Sequence, residues 1–98
     1  MTRRAVFHDL AKKELNEAAR YYEGECAGLG AAFLNEIEQS IEFIMEHPEG
    51  APLVAETVRR KLIRRFPFGL LYSVQPGTLR ILAVMNQKRR PSYWTDRR

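Results

Sequence analysis

Between Thr57 and Met85 the chain reads TVRRKLIRRFPFGLLYSVQPGTLRILAVM. Its apolar residues show the short period and the β-branched and aromatic bias of strands, and its turn residues divide it into three runs. Thr57 to Phe66 is the first, Gly69 to Val74 the second and Leu79 to Met85 the third. Pro67-Phe68-Gly69 and Gln75-Pro76-Gly77-Thr78 read as the turns between them. Strands joined by such short turns pair with their neighbours, so the segment predicts an antiparallel meander.

Upstream of the loop marked by Pro48, Gly50 and Pro52, the period changes to that of helices. Leu29, Phe33, Ile37, Ile41 and Ile44 follow steps of 4, 4, 4 and 3 and share one helical face. An earlier helix is predicted from about Asp9, a candidate N-cap, with Leu15, Ala18, Ala19, Tyr22 and Cys26 inward. Gly24 and Gly28-Leu29-Gly30 separate the two. Two amphipathic helices joined this closely form an antiparallel hairpin that buries both stripes against one face of the sheet. Arg3 to Phe7 reads as a brief strand at or within that sheet, and Pro91 to Trp94 as an extended tail or a single helical turn. The expected architecture is α+β in the order β-α-α-β-β-β, a helix hairpin on a small twisted antiparallel sheet, with the second sheet face left to solvent or a partner.

The 98 residues are 45% apolar and 29% charged, which excludes disordered and collagen-like classes and allows one core. No apolar run approaches the roughly 18 to 20 residues that cross a bilayer. With no signal peptide visible, a soluble cytoplasmic protein is the expectation. Cys26 is the single cysteine and reads as a buried or half-buried apolar residue. With no second cysteine and no nearby histidine, neither a disulfide nor a metal site is expected, and no cofactor is implied. His8 and His47 stand at element ends.

The net charge of +4 divides unevenly. Up to Glu56 five bases face eleven acids, a net of −6, whereas from Thr57 onward eleven bases face Asp96 alone, a net of +10. In one small domain this predicts an acidic hairpin and a basic sheet, and an acidic or polyanionic partner for the latter. Along the first meander strand Arg59, Lys61 and Arg65 fall on one side and Arg60 and Arg64 on the other, beside Val58, Leu62 and Phe66. Lys88-Arg89-Arg90 runs directly into Tyr93 and Trp94, aromatic residues able to stack on a base or enter a partner's pocket, or, for Trp94, to close the core.

The strings Arg65-Phe66-Pro67-Phe68 followed four residues later by Tyr72, and Arg89-Arg90-Pro91-Ser92-Tyr93-Trp94, resemble the RelE/ParE superfamily of toxins. Glu14 to Glu23, with Gly28-Leu29-Gly30 and Phe33-Leu34, is similar to the same superfamily's helical hairpin, so the likeness covers nearly all of residues 1–98 as one toxin domain. The resemblance implies the toxin of a type II toxin–antitoxin, or plasmid stabilisation, module, held in check by a cognate antitoxin. RelE-like members cleave mRNA on the ribosome and ParE-like members inhibit DNA gyrase on the same scaffold, so fold alone does not choose.

Where RelE-like nucleases begin the second meander strand with arginine, this chain has Gly69, and an arginine expected after the last strand falls near Gln87, beside Lys88. Relatives with the Arg-Arg-x-x-Tyr-Trp ending often carry histidine at the place of Asn86. Tyr93 matches a tyrosine near the C-terminus of the nuclease pattern, and Arg60 corresponds to one of two lysines on its first meander strand. If the chain cleaves RNA, Arg60, Lys61, Lys88 and Tyr93 are the catalytic candidates, though arginine does not act as a base near pH 7. Arg59, Arg64, Arg65, Arg80, Arg89, Arg90 and Trp94 are the candidates for contact with the target. So partial a nuclease set favours gyrase over the ribosome, with mRNA cleavage and an inactive antitoxin- or nucleic-acid-binding relative as alternatives.

Overall fold

The computed structural model describes residues 4–97, so Arg3 of the expected first strand and the terminal Arg98 lie outside the described residues. Strand β1 (Arg4–Phe7) leads into helices α1 (Asp9–Glu25) and α2 (Leu29–Glu46), followed by β2 (Leu53–Ala55), β3 (Val58–Leu62), β4 (Phe68–Gln75), β5 (Thr78–Asn86) and a 3-10 turn, Thr95–Arg97. The sheet has five strands in the order β1-β5-β4-β3-β2. The β3-β4-β5 meander is antiparallel as expected. β1, however, lies parallel to β5 from Arg4 beside Thr78 to Phe7 beside Ile81, so the sheet is mixed. The added strand β2 pairs Leu53 with Arg59 and Ala55 with Val58.

The turn between β3 and β4 comes earlier than its proline suggests. β3 stops at Leu62, and Arg65 takes a left-handed backbone with φ of 71°. The Phe68 N–H then donates to the Phe66 carbonyl at 2.8 Å, and Phe68 and Gly69 already belong to β4. Across β4 and β5 the register slips. Leu71 faces Ala83 while Tyr72 faces Ile81, which leaves Leu82 as the extra residue of a bulge.

Each helix is held at its start by a side chain. His8, not Asp9, caps α1, its Nδ1 accepting from the Leu10 N–H at 3.1 Å. Gly28 at the start of α2 has no side chain to cap with, and the Glu23 carboxylate takes the Gly28 and Gly30 N–H groups at 3.1 and 3.0 Å. The helices touch at Gly30, where a Cβ would fall 2.6 Å from the Ala19 carbonyl oxygen. Any larger residue there forces the hairpin apart.

The hairpin covers one sheet face. Ala11, Ala18, Phe33, Ile37 and Ile44 pack on Leu70, Tyr72, Leu79, Ile81 and Val84. Phe33 meets Phe66 and Phe68 with ring centres 5.2 Å apart in edge-on geometry, and Tyr22 meets Phe66 at 4.7 Å. Tyr21 stays outside and Cys26, beyond the end of α1, is exposed rather than buried. The opposite face is not left open. Val58, Leu71, Leu82, Ala83 and Met85 form a second cluster closed by Trp94 from the tail, which folds back over the sheet.

Candidate functional site

The meander topology brings two basic stretches to one end of the sheet. Leu62 pairs with Gly69 and Phe68 with Asn86, so the bend at Arg64-Arg65 and the turn after β5 lie at the same end. They are tied where the Gln87 N–H donates to the Pro67 carbonyl at 2.8 Å. Arg64, Arg65, Lys88, Arg89 and Arg90, all exposed, thereby form one cationic rim. Asn86 builds the turn that carries three of them, its Oδ1 accepting the Lys88 N–H at 2.9 Å.

Arg80 does not join this rim. It lies near the other end of β5, opposite Ser73, beside a small cavity of about 100 Å³ that Val58 and Leu82 also line. Arg59 is likewise committed elsewhere. Its guanidinium donates to the Ala51 and Glu49 carbonyls at 2.7 and 3.3 Å, on the helix side of the sheet, and pins the loop before β2. Trp94 is 3% exposed, and its indole N–H donates to the Pro91 carbonyl at 2.7 Å. Of the two sequence readings of Trp94, closing the core is the one its burial fits. A target cannot reach it while the tail is folded.

Between α2 and β3 runs a groove of about 300 Å³ lined by Phe43, Ala51, Pro52, Arg60, Lys61 and Leu62. It adjoins a cleft of about 140 Å³ bounded by Glu36, Phe43, Lys61 and Arg64. Phe43 is 39% and Leu62 45% exposed, and the Lys61 ammonium sits 4.8 Å above the Phe43 ring. This strip therefore combines apolar Phe43 and Leu62 with three cations, Arg60, Lys61 and Arg64, and one acid, Glu36.

The tail holds the densest polar cluster. The Glu14 carboxylate on α1 accepts the Val84 N–H at 3.0 Å, the Tyr93 hydroxyl at 2.7 Å, and both terminal nitrogens of Arg97 at 2.9 and 3.0 Å. Arg97 also donates to the Leu82 carbonyl at 3.2 Å. These groups occupy the edge of β5 beyond Ile81, past the end of β1. The Tyr93 ring lies under the guanidinium of Arg89 at 4.2 Å and that of Arg97 at 4.8 Å. Burial, and then the hydrogen bond to Glu14, push the Tyr93 phenol well above the usual tyrosine range. At neutral pH it keeps its proton and donates it in a hydrogen bond to the Glu14 carboxylate.

Glu14 and Arg97 were not among the residues singled out from the sequence. A signal for Glu14 is present: Ala11, Glu14, Ala18 and Tyr22 follow helical steps, so one acid stands on an otherwise inward stripe. No local pattern marks Arg97, whose partner is 83 residues away.

Among the described residues no group of His, Cys, Asp or Glu could hold a metal ion, and no helix is long and apolar enough to cross a membrane. The family described as the ParE toxin of the type II toxin-antitoxin system, parDE, matches residues 5–91. The chain belongs to the ParE toxin family. A solved chain of the chromosomal ParDE toxin–antitoxin system from P. aeruginosa has the same fold. Its TM-score is 0.74 at 16% identity, over 87% of this chain and 96% of that one. None of the curated proteins matches the sequence. The ParE family assignment agrees with the superfamily likeness carried by the Arg65–Tyr72 and Arg89–Trp94 strings, and the matched span takes in both helices and, apart from Arg4, all five strands.

Proposed function

We propose that this ParE-family chain arrests growth by engaging DNA gyrase through the cationic rim of Arg64, Arg65, Lys88, Arg89 and Arg90, in the cytoplasm and without a cofactor. The observation that carries this reading is the convergence of two distant basic stretches at one sheet end. Arg60 is a permanent cation, and the Tyr93 hydroxyl keeps its proton in a hydrogen bond to Glu14. Such a surface suits binding and orienting an anionic or acidic target.

A cognate antitoxin keeps the toxin silent. The apolar and cationic strip between α2 and β3 suits an acidic amphipathic segment, with apolar side chains on Phe43 and Leu62 and carboxylates toward Lys61 and Arg64.

Induced expression should stop growth. Purified protein should inhibit supercoiling by gyrase in vitro, and Arg64→Glu with Arg89→Glu should lower that inhibition at least tenfold with the fold intact. Cleavage of a reporter mRNA in a purified translation mix, with gyrase unaffected, would assign the chain to the ribosome-dependent endonucleases instead. No growth arrest from well-folded protein would leave an inactive binding relative.

A further inference from the structure

The feature that neither fold nor proposed target contact explains is the Glu14 carboxylate. It is largely withdrawn from water, with its side chain 15% exposed, yet it is supplied with four donors from the opposite end of the chain. Withdrawing a charge in this way is costly unless the geometry repays it. Covering the edge of β5 would need only the bond to Val84. The remaining three bonds go to Tyr93 and Arg97, and both of those touch the basic segment or its support.

We infer that Glu14 is a positioning residue for the cationic loop Lys88–Arg90, acting through Tyr93 on Arg89. The chain of contacts is continuous. Glu14 fixes the Tyr93 hydroxyl at 2.7 Å, and Arg97, itself paired with Glu14, packs over the ring at 4.8 Å. The ring thus held is the platform on which the Arg89 guanidinium rests at 4.2 Å. At its other end the loop is anchored by Asn86 and by the bond from Gln87 to Pro67. An exposed arginine ordinarily samples many rotamers, and holding it in one removes part of the entropy cost of binding. The link to target engagement rests on the reading of the rim in the preceding section, whereas the link from Glu14 to the loop stands on the contacts alone.

The test measures loop order and function separately in the full chain. Backbone amide relaxation of residues 88–90 and the Arg89 Nε–H resonance are recorded for wild type, Glu14→Gln, Tyr93→Phe and the exposed-site control Glu38→Gln. The induction needed for growth arrest is compared per amount of soluble folded protein. Glu14→Gln should free the loop and shift the Arg89 resonance to that of unrestrained arginine, and should raise the induction required at least tenfold. Tyr93→Phe removes a single hydroxyl and should act in the same direction, which keeps the test decisive if Glu14→Gln does not fold. Glu38→Gln should change neither. Unchanged loop relaxation in Tyr93→Phe and Glu14→Gln overturns the inference, as does a freed loop with undiminished arrest. If wild type does not arrest growth, the toxin reading falls, and relaxation alone confirms or overturns Glu14 as the residue that positions the loop.

Discussion

The stem of Arg60 lies against the place where a side chain at Gly69 would begin. A Cβ there would sit 3.3 Å from Arg60 Cγ and 3.2 Å from Leu62 Cδ2. Arg60 and Gly69 thus share one site across β3 and β4, and the position where RelE-like nucleases carry arginine is occupied here by a neighbour's side chain. Gly69→Ala should cost about 1 to 3 kcal/mol as Arg60 is displaced. Arg60→Ala should recover part of that loss in the double variant, the contact with Leu62 remaining, a coupling measurable by urea denaturation.

Arg97→Ala would leave Glu14 largely buried without its cation. Breaking a buried pair from one side costs about 3 to 5 kcal/mol, so the unfolding midpoint should fall sharply. Replacing both partners, as in Glu14→Leu with Arg97→Met, should restore part of the stability while leaving the Tyr93 hydroxyl without its acceptor. Equal losses in the single and double variants would show that the tail owes its place to packing alone.

Tyr93 makes stability fall with alkaline pH. Its folded-state phenol is raised above the unfolded value of about 10, so the folded chain retains a proton that the unfolded chain gives up. The contribution is complete below about pH 10 and is lost progressively above it. Burial also raises Tyr72, which adds to the slope. Thermal melts between roughly pH 8.5 and 11 should therefore drop more steeply for wild type than for Tyr93→Phe.

Trp94 reports the state of the tail. As the chain's single tryptophan, packed with Leu71, Leu82 and Met85, it should emit at short wavelength and resist acrylamide quenching. Trp94→Ala should cost about 3 to 5 kcal/mol through the cavity it leaves. A red-shifted, freely quenched emission from folded protein would return Trp94 to the set of target contacts.

The helix hairpin and the β3-β4-β5 meander were legible because each rests on neighbours close in sequence. Phe33, Ile37 and Ile44 lie on one face by helical period, and Pro76-Gly77 closes the turn between β4 and β5 within two residues. The opposed charges of the two halves were equally plain, as was the superfamily likeness carried by Arg65–Tyr72 and Arg89–Trp94. What local pattern could not supply were relationships across long separations. Period 2 sets which way a strand's side chains face but not which strand lies beside it, so the parallel docking of β1 on β5 was hidden. The bulge at Leu82 shifts the alternation midway along β5, and no residue of the sequence announces it.

The basic rim divides in the same manner. Sequence alone determined that the chain carries Arg64-Arg65 and Lys88-Arg89-Arg90, because charge is a property of composition. Tertiary structure decided that these meet at one end of the sheet, that the Arg59 guanidinium and the Trp94 indole find hydrogen-bond partners within the fold, and that Glu14 reaches Tyr93 and Arg97. Those outcomes depend on which buried groups find partners when the whole chain closes on itself, and a buried carboxylate takes its partners from wherever the fold delivers them.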